Sequence, residues 1–441
     1  MANISTTNHN ALYKYVAKIT TTFNGTDGKP IVLDSLRIKS IIADYSYDTH
    51  SMPLIYATVV LSYEQVNIFK NNIDKNTVVL NIQKYIENSD MPGLKIDYIN
   101  QECIFYMNTD AGKNKEQALI PEEERMPDYG YILTLGLIAK DHVNKNKTTI
   151  NGIVNNGTLS STVFYILKDH KLLMEPFSYN TQLKQVFIPP MKSVNSTLGY
   201  LNRISTFYET PYRFFMDYDC TYLMSSSGFA LKKKGEDITS ISIKLFKEFD
   251  EANMDGMEED KENKMYILNV SASNSNLIEN KVTKSTYSDI RGINTTGDTV
   301  SVELAKSPII NSNTSNVRLS NENKQLIENM RTTALFNSAV ISITKNRVDS
   351  SIFTINKRYH INADDVYGTE YSGVYILSNK KEVYAQEGEN LTMGLLLVFK
   401  KVPDSVIMKE VTKKLSTKTD KEFEDLISKY YTMSPNDKVQ G

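Results

Sequence analysis

Residues 196–228 constrain the chain more than any other stretch. Leu198, Leu201, Ile204 and Phe207 recur every third residue, Tyr200 and Tyr208 flank them, and Thr210-Pro211 follows. That spacing lays an apolar stripe along a short helix over 196–208, opened by a Ser or Thr cap and stopped by the proline. Residues 212–217 and 222–224 are rich in aromatic side chains, so they read as two strands turning through 218–220, with Ser225, Ser226, Ser227 and Gly228 as a flexible exit. The predicted unit is a helix, a tight stop and a hairpin.

Strand-like segments precede it. Residues 13–19, 36–42, 54–61, 78–85, 104–107 and 131–138 are rich in β-branched and aromatic residues. One helix interrupts them over 62–70, where Ser62 and Gln65 have capping-box spacing. Residues 110–128 are polar enough for a long loop. A second series follows at 265–270, 300–304, 339–344, 353–359, 373–377 and 393–399. Its length and strand number are close to the first, so a second domain of similar topology is expected, although no residue-level repeat is visible. Between the series, 160–170 reads as a helix capped by Ser160 or Ser161 with Val163, Phe164, Ile166 and Leu167 buried. Residues 307–333 form an Asn- and Ser-rich insert, helical over 322–330. Past Pro403 two amphipathic patterns run through Val406, Met408, Val411, Leu415 and through Phe423, Leu426, Ile427, Tyr430. The fold class is α+β, mainly β.

At 441 residues the chain exceeds one typical core. It has 27 Tyr and 16 Phe against no Trp, which suits pleated, half-buried surfaces and subunit contacts. A formal charge of -2 supplies no global drive toward nucleic acid or membrane. No window approaches the ~18 apolar residues of a spanning helix, and residues 1–9 lack the pattern of a signal peptide, so a soluble chain folded in the cytoplasm is expected.

Chemistry-bearing patterns are missing. His9, His50, His142, His170 and His360 have no metal-type spacing, and neither a P-loop, a dinucleotide fingerprint nor a nucleophile elbow is present. Cys103 and Cys220 read as small buried hydrophobes. A calcium-loop pattern starts at Glu251 and continues through Asn253, Asp255, Gly256 and Glu262. Its first ligand is Glu where the loop wants Asp, and Glu258 stands at a normally apolar position, so the segment is read as a solvated linker. No cofactor is expected.

In this order of parts the chain resembles the central hub proteins of contractile phage tails, with the late control D and type VI spike families. Their helix motif S-x-L-x-x-L-x-x-I-x-x-x-Y and hairpin ending L-x-x-S correspond to Ser196, Leu198, Leu201, Ile204, Tyr208, Leu223 and Ser226. Their closing strands, Y-x-I and then Y-x-G-x-Y, correspond to Tyr359, Ile361, Tyr371, Gly373 and Tyr375.

The resemblance implies two tail-tube-like β-barrels at 1–149 and 265–402, a mixed helix and hairpin domain at 150–248, an acidic linker at 249–264 and a helical tail at 403–441. It also implies a non-enzymatic baseplate subunit of the virion. Such a subunit is a homotrimer whose six barrels form a pseudo-sixfold ring between the hexameric tail tube protein and a trimeric central spike protein. The spike is then a separate polypeptide of a kind that can carry lysozyme activity, other baseplate subunits adjoin, and tape measure and DNA pass through without specific binding. Two other classes remain open on the residues: a peptidoglycan-active tail hydrolase, and a receptor- or carbohydrate-binding peripheral tail protein.

Overall fold

The structure is a computed structural model that describes residues 13–24, 30–33, 37–72, 77–86, 96–105, 125–126, 130–147, 152–188, 190, 193–227, 240–247, 257–260, 262–279, 290–296, 299–304, 316–318, 336, 339–346, 348–387, 390–404 and 406–407. The first strand series comprises β1 (Tyr13–Asn24), β2 (Pro30–Leu33), β3 (Arg37–Ser46), β4 (Leu54–Leu61), β5 (Thr77–Ile86), β6 (Ile96–Phe105), β7 (Arg125–Met126) and β8 (Gly130–Ala139). Helix α1 (Tyr63–Asn72) follows β4, and its predicted capping box is formed: Ser62 N–H donates to Gln65 Oε1 at 2.9 Å and Gln65 N–H to Ser62 Oγ at 3.3 Å. The middle segment holds α2 (Lys140–Asn146), β9 (Gly152–Thr158), α3 (Leu159–Ile166), β10 (Leu172–Met174), β11 (Gln182–Ile188), α4 (Val194–Ile204), β12 (Tyr212–Met216) and β13 (Thr221–Ser225). The second series comprises β14 (Ser240–Phe246), β15 (Met257–Asp260), β16 (Met265–Ser271), β17 (Ser275–Glu279), β18 (Ile290–Thr296), β19 (Thr299–Leu304), β20 (Asn316–Arg318), β21 (Ala339–Asn346), β22 (Arg358–Asn362), β23 (Gly373–Glu387) and β24 (Asn390–Lys401).

Strands β18, β19 and β20 form a three-stranded sheet of their own; the other strands of both series lie in one 16-stranded sheet, and the β23–β24 hairpin joins them. Pairing runs β23, β3, β4, β8, β6, β5, β1, β24 and returns to β23, a closed ring of strands. The same hairpin continues on its other side into β22, β14 and β16 from β23, and into β21 and β17 from β24. A three-residue 3-10 turn, Ala272–Asn274, links β16 on one arm of this second path directly to β17 at the end of the other, and β15 continues the first arm beyond β16.

The division falls within each hairpin strand. Residues 373–375 of β23 pair with β22, whereas 379–385 pair with β3, and the register shifts between Leu377 and Asn379. Ser378 is the extra residue, and a bulge of this kind bends a strand and strengthens its twist. The strand can therefore leave one curved sheet and enter the other.

Alternation explains the core. β24 reads N-L-T-M-G-L-L-L-V-F-K-K and buries Leu391, Met393, Leu395, Leu397 and Phe399 at every second position. These side chains and those of β1, β3, β4, β5 and β8 share one continuous hydrophobic cluster with Ile241, Leu268, Ile341 and Ile361 of the second series.

Several elements depart from the sequence reading. The strand expected over 353–359 is a loop as far as residue 357, following a 3-10 turn at Ser350–Ile352, and β22 begins only at Arg358. β14, which the sequence reading grouped with the middle segment, runs parallel between β16 and β22. The stretch read as an acidic linker contains β15, an antiparallel partner of β16. Glu251, Asn253 and Asp255 lie outside the described residues, and Glu262 is an exposed turn residue. The helices expected over 322–330 and beyond Ile407, and most of the loop at 110–128, also lie outside them. No helix among the described residues is long and apolar enough to cross a membrane.

Candidate functional site

The β12–β13 hairpin is buried along nearly its whole length, with only Tyr212 half-exposed. Its two faces serve two cores. Phe214, Met216 and Leu223 pack with Leu159, Val163, Leu198, Leu201 and Phe207 in the middle segment. Phe215, Tyr222 and Met224 pack with Tyr45 and Tyr47 in the large-sheet core. A strand covered on both faces reads as a continuous apolar run, which is why this hairpin stands out in the sequence.

Helix α4 supplies the next layer. It is capped by Ser193, whose Oγ accepts from Ser196 N–H at 3.1 Å, three residues earlier than the start expected at Ser196. Ser196 is exposed, Leu198 and Leu201 are buried, and Ile204 is half-buried. Tyr208 lies beyond the helix and is buried, its hydroxyl donating to Glu175 O at 2.9 Å and Leu223 O at 3.3 Å. Ser225, Ser226 and Ser227, expected to be flexible, are buried; Ser225 N–H donates to Glu175 Oε2 at 2.8 Å and Ser226 N–H to Pro211 O at 2.7 Å.

The second motif sits in the other core. Tyr359 and Tyr375 are cross-strand partners, as are Ile361 and Gly373. Tyr359 stacks on Phe353 with centroids 6.2 Å apart, and its hydroxyl donates to Thr354 O at 2.9 Å. Tyr375 donates to Tyr371 O at 2.5 Å. Gly373 has φ of 146°, a conformation that favours glycine, and a Cβ there would meet Lys401 Cε at 3.3 Å. The structure therefore assigns the two motifs to different hydrophobic clusters.

They are coupled at the bulge. Arg213 of β12 is buried, donates from Nη2 to Leu377 O, and pairs through Nε with Asp48 Oδ1 at 3.2 Å. Asp48 also pairs with Lys400 Nζ at 2.8 Å and accepts from Ser378 Oγ at 2.5 Å. Tyr47 N–H donates to Ser378 O at 3.0 Å, and Met216 N–H to Ser51 O at 2.7 Å. Burial alone would raise the Asp48 carboxyl, but the Arg213 guanidinium and Lys400 ammonium reverse this and hold it below its ordinary value. One carboxylate thus ties the first series, the middle hairpin and the shared β23–β24 hairpin together.

A second polar cluster lies farther along β23. Lys380 and Glu382 are buried and pair at 3.2 Å. Glu382 accepts from Tyr98 and Tyr384, each at 2.7 Å, and Lys380 sits 4.1 Å over the Tyr45 ring. Tyr98 also meets Ser350 Oγ at 2.5 Å, and Lys84 pairs with Asp349 at 2.6 Å, fixing the turn before β22. Burial and then the Glu382 carboxylate push the Tyr98 and Tyr384 phenols well up, so both remain O–H donors.

The sequence reading singled out none of Asp48, Arg213, Lys380 and Glu382. Their signal is faint: Lys380, Glu382 and Tyr384 alternate along one face of a strand whose run of charges otherwise reads as a loop.

Among the described residues, no group of three or more His, Cys, Asp or Glu side chains could hold a metal ion. Cys103 is buried in β6, where burial and then the Glu102 carboxylate push its thiol up to about 12. Cys220, expected to be buried, is half-buried between β12 and β13 and forms no disulfide.

No family profile matches the chain, and no curated protein matches it in sequence. Solved structures do resemble it. A tail protein from Neisseria meningitidis MC58 superposes with a TM-score of 0.43 at 10% identity, covering 88% of this chain and 96% of its own. The 43 kDa tail protein of prophage MuSo2 from Shewanella oneidensis gives 0.43 at 10%, covering 87% and 96%. An E. coli type VI secretion component, itself described as similar to T4 bacteriophage tail proteins, gives 0.41 at 9%, covering 82% and 73%.

Proposed function

We propose that the chain is a structural hub subunit of a contractile phage tail baseplate. Three copies form a pseudo-sixfold adaptor between a hexameric tail tube and a trimeric spike, around a channel for tape measure and DNA. The observation that carries this reading is the β23–β24 hairpin shared by two strand assemblies. An adaptor that presents two similar surfaces per chain to a sixfold partner needs those surfaces at a fixed separation and angle. Two domains on a linker would not hold them, whereas a continuous hydrogen-bonded hairpin, braced at its bulge by Asp48 and Arg213, does. The two motifs shared with the hub family lie on either side of that brace. In this reading the function is mechanical, and the two barrels are the closed ring and the second path.

The test is the absolute solution mass of the purified chain, alone and mixed with the spike polypeptide encoded beside it. The expected result is a trimer, either intrinsic or induced by the spike. A chain that stays monomeric in both conditions rejects the adaptor.

A further inference from the structure

The turn between β12 and β13 sits in a seam between α2 and the bend that follows α3. Asp217 N–H closes it by donating to Cys220 O at 2.9 Å, and Tyr218 N–H donates to the Asp217 carboxylate at 2.8 Å. From α2, His142 reaches this turn. Its imidazole is 4% exposed, stacks on the Tyr218 ring with centroids 5.4 Å apart, and places Nε2 3.2 Å from Asp217 O. On the other side, α3 turns Phe164, expected to be buried, outward at 52% exposure and ends in a bend where His170 N–H donates to Leu167 O at 2.9 Å. His170 Nδ1 lies 3.0 Å from Thr221 Oγ1, and its ring also bonds the Lys145 backbone in the last turn of α2. Two histidines thus pin one turn, and through it the first strand series to the middle segment.

These contacts fix where His142 carries its proton. A carbonyl only accepts, so Nε2 donates to Asp217 O and Nδ1 of the neutral ring is bare. Among the described residues, this Nδ1 is buried and has no hydrogen-bond partner. A second proton would create an N–H with nothing to accept it, on a charged ring cut off from water. The Tyr218 face attracts a cation, but it leaves the in-plane Nδ1–H unanswered. Of the surrounding charges, Asp141 favours the imidazolium, whereas Lys145 and His170 oppose it, and Asp141 is itself paired with Lys145 at 2.6 Å. The other ionisable neighbours are Asp169 beside His170, Asp217 and the exposed Asp219 on the turn, Cys103 near Tyr218, and the Lys140–Glu102 pair that joins α2 to β6 at 2.6 Å. β8 carries no charge, and the one charge on α4, Arg203, stands in its last turn. Burial comes first and holds both His142 and His170 below their ordinary value.

We propose that His142 is an acid-operated latch: proton uptake at its Nδ1 releases the 217–221 turn from α2, while β12 and β13 stay paired between their two cores. The folded value of His142 lies below its ordinary 6.5, so its contribution to the seam is complete above about pH 6.5 and is lost as the pH falls through the folded value. Charging His170 adds a cation beside Lys145 and acts in the same direction. Release stays local because the strands are buried on both faces, whereas the turn has only the seam. Asp48 remains ionised in this range, so the brace at the bulge holds. The inference does not depend on the hub reading.

The test uses the full chain with carbon-labelled histidine rings, titrated by NMR from about pH 7.5 to about pH 5, and amide exchange by mass spectrometry at both ends of that range. His142 should bind its proton more weakly than a free histidine. Exchange, corrected for its intrinsic pH dependence, should rise about tenfold or more over 140–146 and 217–220 as the ring titrates, but not over 212–216 or 222–225. His360, pushed down to about 4 by burial and then Arg358, stays neutral throughout and serves as the reference ring. His142→Gln keeps an N–H donor for Asp217 O without a titrating group, so the rise should vanish; circular dichroism and the thermal midpoint check that this variant is folded. A ring that titrates at the ordinary value with exchange unchanged overturns the proposal. So does a rise shared by β12, β13 and the cores, which would be general acid unfolding, or a rise that persists in His142→Gln. If that variant does not fold, coincidence of the His142 titration with the exchange rise in the unaltered chain decides alone.

Discussion

The two halves of β23 are built by opposite means, and both send alternate side chains into the same core. Residues 373–377, Gly-Val-Tyr-Ile-Leu, are apolar, and Tyr375 and Leu377 fill the core by alternation alone. Residues 378–387, Ser-Asn-Lys-Lys-Glu-Val-Tyr-Ala-Gln-Glu, place Lys380 and Glu382 in that same core, at 4% and 0% exposure. An apolar side chain enters a core by losing water contact and needs no particular partner. An ion needs named partners, and here they come from β6, β3 and the turn before β22. The first half can be recognised from itself; the second is a strand only because distant residues make it one.

The strongest way to break that contrast is to remove a partner. Glu382→Ala leaves the Lys380 ammonium buried without its counter-ion, and unfolding in urea should show a loss of ~3–5 kcal/mol. The double variant Lys380→Met with Glu382→Leu should recover most of it, because matched apolar groups remove both desolvation costs. If the single variant costs less than ~1 kcal/mol, the charged half is not held by its ions, and the distinction between the halves fails.

On the apolar side, Leu198→Ala deletes a fully buried side chain from the middle-segment core and should cost ~2–5 kcal/mol. Amide exchange would sharpen the comparison. Loss of protection should concentrate in α3, α4, β12 and β13, which share that core, whereas Glu382→Ala should expose β23, β3 and β6.

The bulge lies between these extremes. Arg213→Ala removes the guanidinium from Leu377 O and Asp48, but Asp48 keeps Lys400, so a smaller loss of ~1–3 kcal/mol is expected. The pH dependence carries a sign. The Asp48 carboxyl is held below its ordinary value of 3.8 in the folded chain, so its contribution is fully present above about pH 5 and is lost as pH falls through the folded value. Asp48→Asn should therefore flatten the acid limb of stability between about pH 5 and 2. Asp349, lowered by Lys84 despite its burial, titrates in the same direction, so the variant flattens that limb without abolishing it.

The same physics decides what the sequence made legible. β1, β4, β5, β8, β16 and β21 are found where β-branched and aromatic residues cluster, and the α1 capping box is found because both of its partners lie three residues apart. β14, S-I-S-I-K-L-F, alternates cleanly but was not among the expected strands, and its parallel pairing with β16 and β22 has no local signal, since pairing is fixed by distant chain. The helix and hairpin over 196–228 announced themselves because two cores cover the hairpin. Arg213 sits inside that stretch, yet its role depends on Asp48 and Leu377, separated from it by 165 and 164 residues. The candidate site was thus legible in its apolar frame and hidden in its charges.

The smallest test puts the comparison where every partner is local. Ser160 or Ser161 was the expected cap of α3, but Thr158 fills the position: its Oγ1 accepts from Ser161 N–H at 3.2 Å and its backbone is extended. Ser161 instead turns its hydroxyl back to Thr158 O at 2.8 Å, which satisfies no free N–H of the first turn. Thr158→Ala should therefore cost ~1 kcal/mol, within the usual range for a lost N-cap, and Ser161→Ala a few tenths at most. Both follow from paired urea titrations. Equal losses would mean that the cap is shared along T-L-S-S, so that even a signal spanning three residues is fixed by the surrounding fold, here Asn180 Oδ1 accepting from Ser160 N–H at 3.0 Å. Unequal losses would place the limit of local reading at the exact cap position rather than at the existence of the helix.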